Sequence, residues 1–384
     1  MLMIVCALLG IGIVAVYSAS AMTSEATYGG TGHFLTMHLT AIAIGAAAAM
    51  GVLCLPYATI RRMAPWVFVL SLVLVALVDL FGQEAGGARR WFRVGRLSMQ
   101  PSTLVQLGVV LYLSDFLARH AADIHHFRRG VLPALIATGA AAGLVLIQPD
   151  LGTTVAIGAV AWLLLIIAKA RWPHVAGVAA VAGVAVAVLI AGASYRRRRL
   201  LAFLNPWEDP LGAGYQIIQS YLALAGGGVF GEGIGGSLQK LFFLPNAHTD
   251  FIFAIIGEEL GLLGTSAVMA LCALWVVCGF RIAMAATEPF GKYLVCGLVG
   301  MVALEVMVNI AVVTGLLPTK GLPLPLISYG GSSMVINLIA CALILRVSRS
   351  SERMITVVQA HDARQQSARQ PSLSSHRAIE PSSQ

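Results

Sequence analysis

The chain has 384 residues, 58% hydrophobic and 11% charged, with a mean hydropathy of +0.84 and a formal net charge of +8. This excludes a soluble globular domain. The positive charge is spread over the flanks of apolar runs and two short clusters, so it forms no nucleic-acid-binding face. The runs are long and lack period-2 alternation, so they cross a bilayer as helices, whose backbone groups are satisfied internally.

Ten runs near the ~20 residues needed for a crossing follow in chain order: 1–21, 37–56, 66–82, 103–118, 131–147, 153–168, 174–193, 251–280, 293–316 and 332–347. The first ends in Ala19-Ser20-Ala21, which resembles a signal-peptide cleavage site. It lacks a basic leading region and many spans follow, so it reads as a retained helix. The expected fold is an all-α polytopic membrane protein: a ten-helix domain over 1–347, with a long outer loop, 194–250, between helices 7 and 8. The tail 348–384 is Ser/Gln/Arg-rich without apolar periodicity and reads as disordered.

Orientation follows from Lys and Arg. With both termini cytoplasmic, 15 of the 25 fall inside and ten outside; without Arg364, Arg369 and Arg377 the margin narrows to 12 against 10. Eight of the outer ten form two clusters, Arg89, Arg90, Arg93 and Arg96, then Arg196 to Arg199. Guanidinium forks match phosphate oxygens, which suits an anionic ligand. Snorkelling anchorage to headgroups fits this feature equally well.

The 57-residue segment from Ser194 to Asp250 carries "LNPWEDPLGAGYQ" and "GGGVFGEGIGGS". A loop of this length without low-complexity bias points to function, and its glycines to tight turns or close backbone approach. The six cysteines lie in apolar runs without CxxC spacing, which predicts neither a disulfide nor zinc. The nine histidines show no ligand spacing, and His125-His126 reads as part of a solvated loop.

Five segments, "GARRWFRVGRLSMQPS" (87–102), "QPDLGT" (148–153), "RRRRLLAFLNPWEDPLGAGYQ" (196–216), "GSLQKLFFLPNAHTDFIFAIIGEELGLLG" (236–264) and "GLLPTKGLPLPLISYGGSS" (315–333), resemble the SEDS family, which comprises FtsW, RodA and SpoVE. The likeness runs in order to Arg349. "AHTDFIF" and "LLPTKG" place it nearer the FtsW branch than the RodA branch. The resemblance implies ten helices and an inverting peptidoglycan glycosyltransferase that polymerises lipid II at the outer face of the bacterial cytoplasmic (inner) membrane, in septal wall synthesis. It implies as partners a class B penicillin-binding transpeptidase, other divisome membrane proteins, lipid II and the growing glycan strand. The chain departs from the family at Thr103 and Gln106, where a Glu and a Lys are common, and at Asn246, where Glu is usual. It also has "ALAGGG" (223–228) for "ALGSGG", and Glu305 where Gln is common.

The chemistry bears on the residues directly. A lipid diphosphate is already a good leaving group and needs neutralisation by Arg, Lys or a metal; the attacking sugar hydroxyl needs a base. One carboxylate and a basic patch are the minimum. Asp250, where the long loop meets a helix, admits two readings: an N-cap made by Thr249 or Asp250, or the general base. The resemblance places the family's essential acid at Asp250. Glu258 and Glu259 are ~12–14 Å further along a helix, too far to act on the same proton, and read as structural or ion-pairing groups. Asp150 is a helix cap by position and a cavity residue by resemblance. Lys320 and Ser328 to Ser333 offer a cation and backbone amides, or a plain turn and cap.

The catalytic candidate is therefore Asp250. The substrate-binding candidates are Arg89, Arg90, Gln100, Asp150, Arg196, Arg199, Lys240, His248, Lys320 and Ser332. No cofactor is expected beyond a divalent cation, Mg or Mn, recruited at the diphosphate. Two other functions fit parts of the pattern. A lipid II flippase would use intramembrane acids, but needs comparable access on both faces; a non-catalytic division scaffold would not require Asp250.

Overall fold

Apolar composition and the near absence of internal charge turn each of the ten runs into helix, in a computed structural model that describes residues 1–85, 88–94 and 97–369. The helices are α1 (Leu2–Tyr28), α2 (His33–Cys54), α3 (Tyr57–Phe81), α4 (Pro101–Arg119), α5 (Leu132–Ile147), α6 (Leu151–Ile167), α7 (Trp172–Ala191), α8 (Ser194–Leu204), α9 (Tyr215–Gly227), α10 (Ile252–Ala285), α11 (Pro289–Val313) and α12 (Gly331–Arg369). Among the described residues nine helical segments are long and apolar enough to cross a membrane, and α6, at 17 residues, is a shorter apolar helix. α12 runs past residue 348, where a disordered tail is expected; residues 370–384 lie outside the described residues.

Burial ranks the helices. α4 is central and mostly buried, whereas α7 presents nearly all of its surface outward. Large exposed apolar side chains such as Trp66, Leu70, Trp172 and Val181 suit a hydrocarbon surround. α11 packs on α4, α6 and α10, and α12 packs on α2, so the last helices close the bundle around α4.

Contacts sort the connections to two ends. One end joins Phe34 to His248 and Tyr329, Arg90 to the Gln148 carbonyl, and Arg199 to the Thr319 carbonyl. The other joins Arg61 and Arg119 to Asp115, and Arg346 to the Leu55 carbonyl. The long loop and the expected ligand residues share the first end. A cysteine at Leu211, which is 89% exposed, is expected to react with a membrane-impermeant maleimide in intact cells. Reaction only after the inner face is opened would invert the assignment.

Two features correct a purely helical picture. Three short segments form an antiparallel sheet, β1 (Gln83–Ala85), β2 (Ala88–Val94) and β3 (Leu97–Met99), with Gln83 opposite Trp91 and Arg93 opposite Ser98. Two of these strands have three residues, too short for alternation to register in sequence. The segment 194–250 is also partly ordered as α8, a 3₁₀ turn at Pro206–Glu208, and α9. Ser220 on α9 donates to the Val313 carbonyl (2.7 Å), satisfying the end of α11.

α10 is broken at Gly261, whose φ of 64° and ψ of −162° lie outside the helical region. From Gly261 to Ala285 the rise of ~1.5 Å per residue gives roughly 36 Å, enough to cross a membrane alone. Ile252 to Leu260 is therefore a separate half-helix, buried from Ile252 to Glu259. The glycine-rich loop repairs the break: the Glu232 and Gly233 amides donate to the Glu258 and Glu259 carbonyls, and the Leu262 and Leu263 amides donate to the Gly228 and Val229 carbonyls. Gly228, Gly231, Gly233 and Gly235 all have positive φ, so the glycines make tight turns, as expected from the sequence.

Candidate active site

The half-helix starts immediately after Asp250, and its N-cap residue is Phe251, with no side-chain cap hydrogen bond. The Thr249 hydroxyl instead donates to the Asn246 carbonyl (3.1 Å). Neither candidate cap serves the helix, and among the described residues no hydrogen bond engages the Asp250 carboxylate. Asn246 sits at φ 58°, a left-handed position that asparagine tolerates better than glutamate does, which rationalises that departure.

The Asp250 main chain is fixed while its side chain is free. Asn309 on α11 donates both amide hydrogens, to the Asp250 carbonyl (2.8 Å) and to the Leu322 carbonyl (2.7 Å). One buried amide thus ties the start of the half-helix to the loop before α12. Gly321 completes the approach: a Cβ there would lie 2.8 Å from an Asp250 carboxylate oxygen. Asn309 was not singled out as a site residue from the sequence, although a lone amide in an apolar span is a signal for such a role.

Lys320, next to Gly321, lies across the N-terminus of α6. A Cβ on Gly152 would overlap the Lys320 side chain, so glycine there makes room for the ammonium. Asp150 caps α6, accepting from the Thr153 amide (3.0 Å) and hydroxyl (2.7 Å). It also stands within electrostatic reach of Lys320. Of the two sequence readings of Asp150, the geometry shows the helix cap.

The electrostatics suit proton transfer near neutrality. Burial raises the Asp250 carboxyl to about 6, opposed by the positive charges of Arg199 and Lys320. Burial lowers the Lys320 ammonium to about 8, opposed by Asp150, Glu305 and Asp250. Between these values Asp250 is an ionised, hydrogen-bond-free base beside two cations. Burial also lowers His248 to about 4, so its ring is neutral at pH 7.

The other candidates separate. Arg199 reaches the Thr319 carbonyl (3.4 Å) and acts on Asp250, whereas Arg196 turns back on the Leu189 carbonyl (2.9 Å) and its own neighbour Tyr195. Arg199→Gln is expected to weaken binding of a diphosphate-bearing ligand by about tenfold, one charge-assisted contact. Arg196→Gln is expected to change it less than twofold, and equal losses in a titration at physiological salt would put both in the site. Arg90 holds the Gln148 carbonyl (2.7 Å), and Arg89 is exposed on β2. Ser332 accepts from the Gln100 amide (2.8 Å), tying α12 to the start of α4, so these two residues brace the site. Arg96 lies outside the described residues.

Lys240 is placed inside the protein. It is buried and paired with Glu259 (2.8 Å) and the Ser18 hydroxyl (3.0 Å), so its charge is spent inside the protein rather than offered to a ligand. Glu258 accepts from the Ser237 hydroxyl and from the Leu238 amide (2.9 Å). The ion-pairing and structural roles expected for these two acids are both present.

Comparison with known proteins follows the same outline. Residues 1–353 match the family model for the cell cycle proteins FtsW, RodA and SpoVE. The chain is 39% identical over 349 residues to a probable peptidoglycan glycosyltransferase FtsW of Geobacter metallireducens, covering 90% of this chain and 93% of that one. It is 39% identical over 346 residues to the stage V sporulation protein E of Bacillus subtilis, covering 90% and 94%. Among solved structures it is similar to a chain of a peptidoglycan synthase complex that coordinates polymerization and crosslinking (TM-score 0.77, 32% identity, 91% of this chain and 97% of that one). It is also similar to the rod shape determining protein RodA of Thermus thermophilus (TM-score 0.69, 28% identity, 91% and 96%).

Proposed function

This chain belongs to the family of cell cycle proteins that comprises FtsW, RodA and SpoVE, and we propose from its geometry how it acts as a peptidoglycan glycosyltransferase. The substrate is lipid II, a disaccharide on a lipid diphosphate, and the acceptor or donor is the growing glycan. Asp250 takes the proton from the attacking sugar hydroxyl as its oxygen bonds to the donor's anomeric carbon. The bond from that carbon to the diphosphate breaks, and the electron pair leaves with the lipid diphosphate. Arg199 and Lys320, the two cations that act on Asp250, neutralise that leaving charge. Attack opposite the leaving group inverts the anomeric configuration.

The observation that carries this reading is the Asp250 carboxylate, which no hydrogen bond engages among the described residues and on which the charges of Arg199 and Lys320 act. Among the described residues no three His, Cys, Asp or Glu side chains converge to hold a metal ion. A Mg or Mn ion would have to share the diphosphate's own oxygens.

The multi-pass chain works in the bacterial inner membrane at the division septum. Likeness to the synthase complex supports a class B penicillin-binding transpeptidase as partner; other divisome membrane proteins join them at the septum. The test is incubation of the purified full chain with lipid II, with and without that transpeptidase, followed by gel separation of glycan polymers. Polymer in either arm is the expected result; none in both would overturn the reading.

A further inference from the structure

Between Asp250 and the outer rim the chain sets out aromatic rings that the transfer chemistry does not use. Phe34 lies 4.6 Å from the His248 ring and 5.5 Å from the Tyr329 ring, centroid to centroid. The Tyr329 amide donates to the His248 carbonyl (3.0 Å), fixing this group two residues before Asp250. Outward from Phe34, His33 and Tyr28 stack at 3.8 Å and 17°, with Tyr28 52% exposed. The turn that carries them is tied down: the Ser24 hydroxyl donates to the Gly30 carbonyl (2.5 Å) and accepts from the His33 amide (3.1 Å).

We propose that Tyr28, His33, Phe34, His248 and Tyr329 form a stacking platform for the pyranose rings of the glycan strand, leading away from Asp250. This rests on the transferase reading above and assigns the strand its path. A pyranose presents a face of C–H groups, which suits the electron-rich face of an aromatic ring. The ring set is continuous with the site and neutral at its inner end. Its outer edge carries the Tyr28 hydroxyl, the His33 ring nitrogens and the exposed Arg93, which acts on Tyr329 electrostatically. Those groups can hydrogen-bond sugar hydroxyls and acetamido oxygens. A belt that only anchors aromatic rings at the headgroups needs no such run toward a carboxylate.

The probe is a soluble β-linked tetrasaccharide of N-acetylglucosamine, titrated against the full-length chain in detergent and followed by saturation-transfer NMR. Transfer to the sugar ring protons and N-acetyl methyls is expected. Tyr28→Leu preserves apolar bulk at an exposed position but removes the ring face, and should weaken binding about three- to tenfold. Tyr28→Phe, which keeps the ring face and loses only the hydroxyl, should lose less affinity than Tyr28→Leu. Unchanged affinity in Tyr28→Leu, or no binding by the parent, would overturn the platform. Tetrasaccharide binding through these rings in a chain that makes no polymer would instead sink the transferase reading alone.

Discussion

Asp250→Asn is expected to lower glycan polymerisation by about 10²–10⁴-fold, the usual contribution of general-base assistance, while lipid II still binds. The variant keeps the side chain's size, and its main-chain anchor to Asn309 uses the carbonyl, which the substitution leaves in place. Stability should not fall. The folded carboxyl is raised above its ordinary value to about 6, so its contribution to stability is fully present below about 3.8 and is lost as pH rises through about 6. At pH 7 the ionised Asp250 therefore burdens the fold, and the amide relieves that cost. The parent's rate should rise with pH through about 6 as Asp250 ionises, then fall above about 8 as Lys320 loses its charge. The Asn variant should lack the acidic limb. Polymerisation within a few-fold of the parent would remove Asp250 from the base role and make Asp150 the next group to replace.

What the sequence disclosed and what it hid have physical causes. The helical spans were legible because uninterrupted apolar runs admit no other solution in a bilayer. Asp250 stood out because a carboxylate beside Phe251-Ile252-Phe253 is costly unless it has a use. Its freedom from capping was not legible, since a cap is decided by backbone geometry at one residue. The break at Gly261 was hidden for a related reason: "IGEELGLLG" carries three glycines, any of which a helix can tolerate, and the interruption depends on backbone bonds to the distant loop at Gly228–Gly233. The pairing of Lys240 was hidden because a cation in an outer segment looks available to ligand until its partner, 19 residues on, is known. Gly152 and Gly321 gave no signal alone, because their value lies in the room they leave for Lys320 and Asp250.

Lys240→Met should destabilise the full chain by about 3–5 kcal/mol, because it leaves the buried Glu259 carboxylate without its cation. The pair is enclosed on both sides, at 8% and 5% side-chain exposure, and only the Ser18 hydroxyl would remain to satisfy Glu259. Replacing both partners, Lys240→Met with Glu259→Leu, removes the stranded charge along with its partner. That double variant should recover most of the lost stability, since apolar replacement of a whole buried pair is often neutral or better. The cycle also separates two roles for Lys240. An internal brace that positions the turn at Ser237–Lys240, ahead of Asp250, predicts that stability and polymerisation are rescued together. A ligand-binding lysine predicts that stability returns while lipid II affinity stays low, because no substitution at Glu259 restores a cation. Thermal unfolding in detergent and lipid II titration on the parent and these two variants measure the two quantities. Rescue of stability without rescue of affinity would return Lys240 to the substrate site.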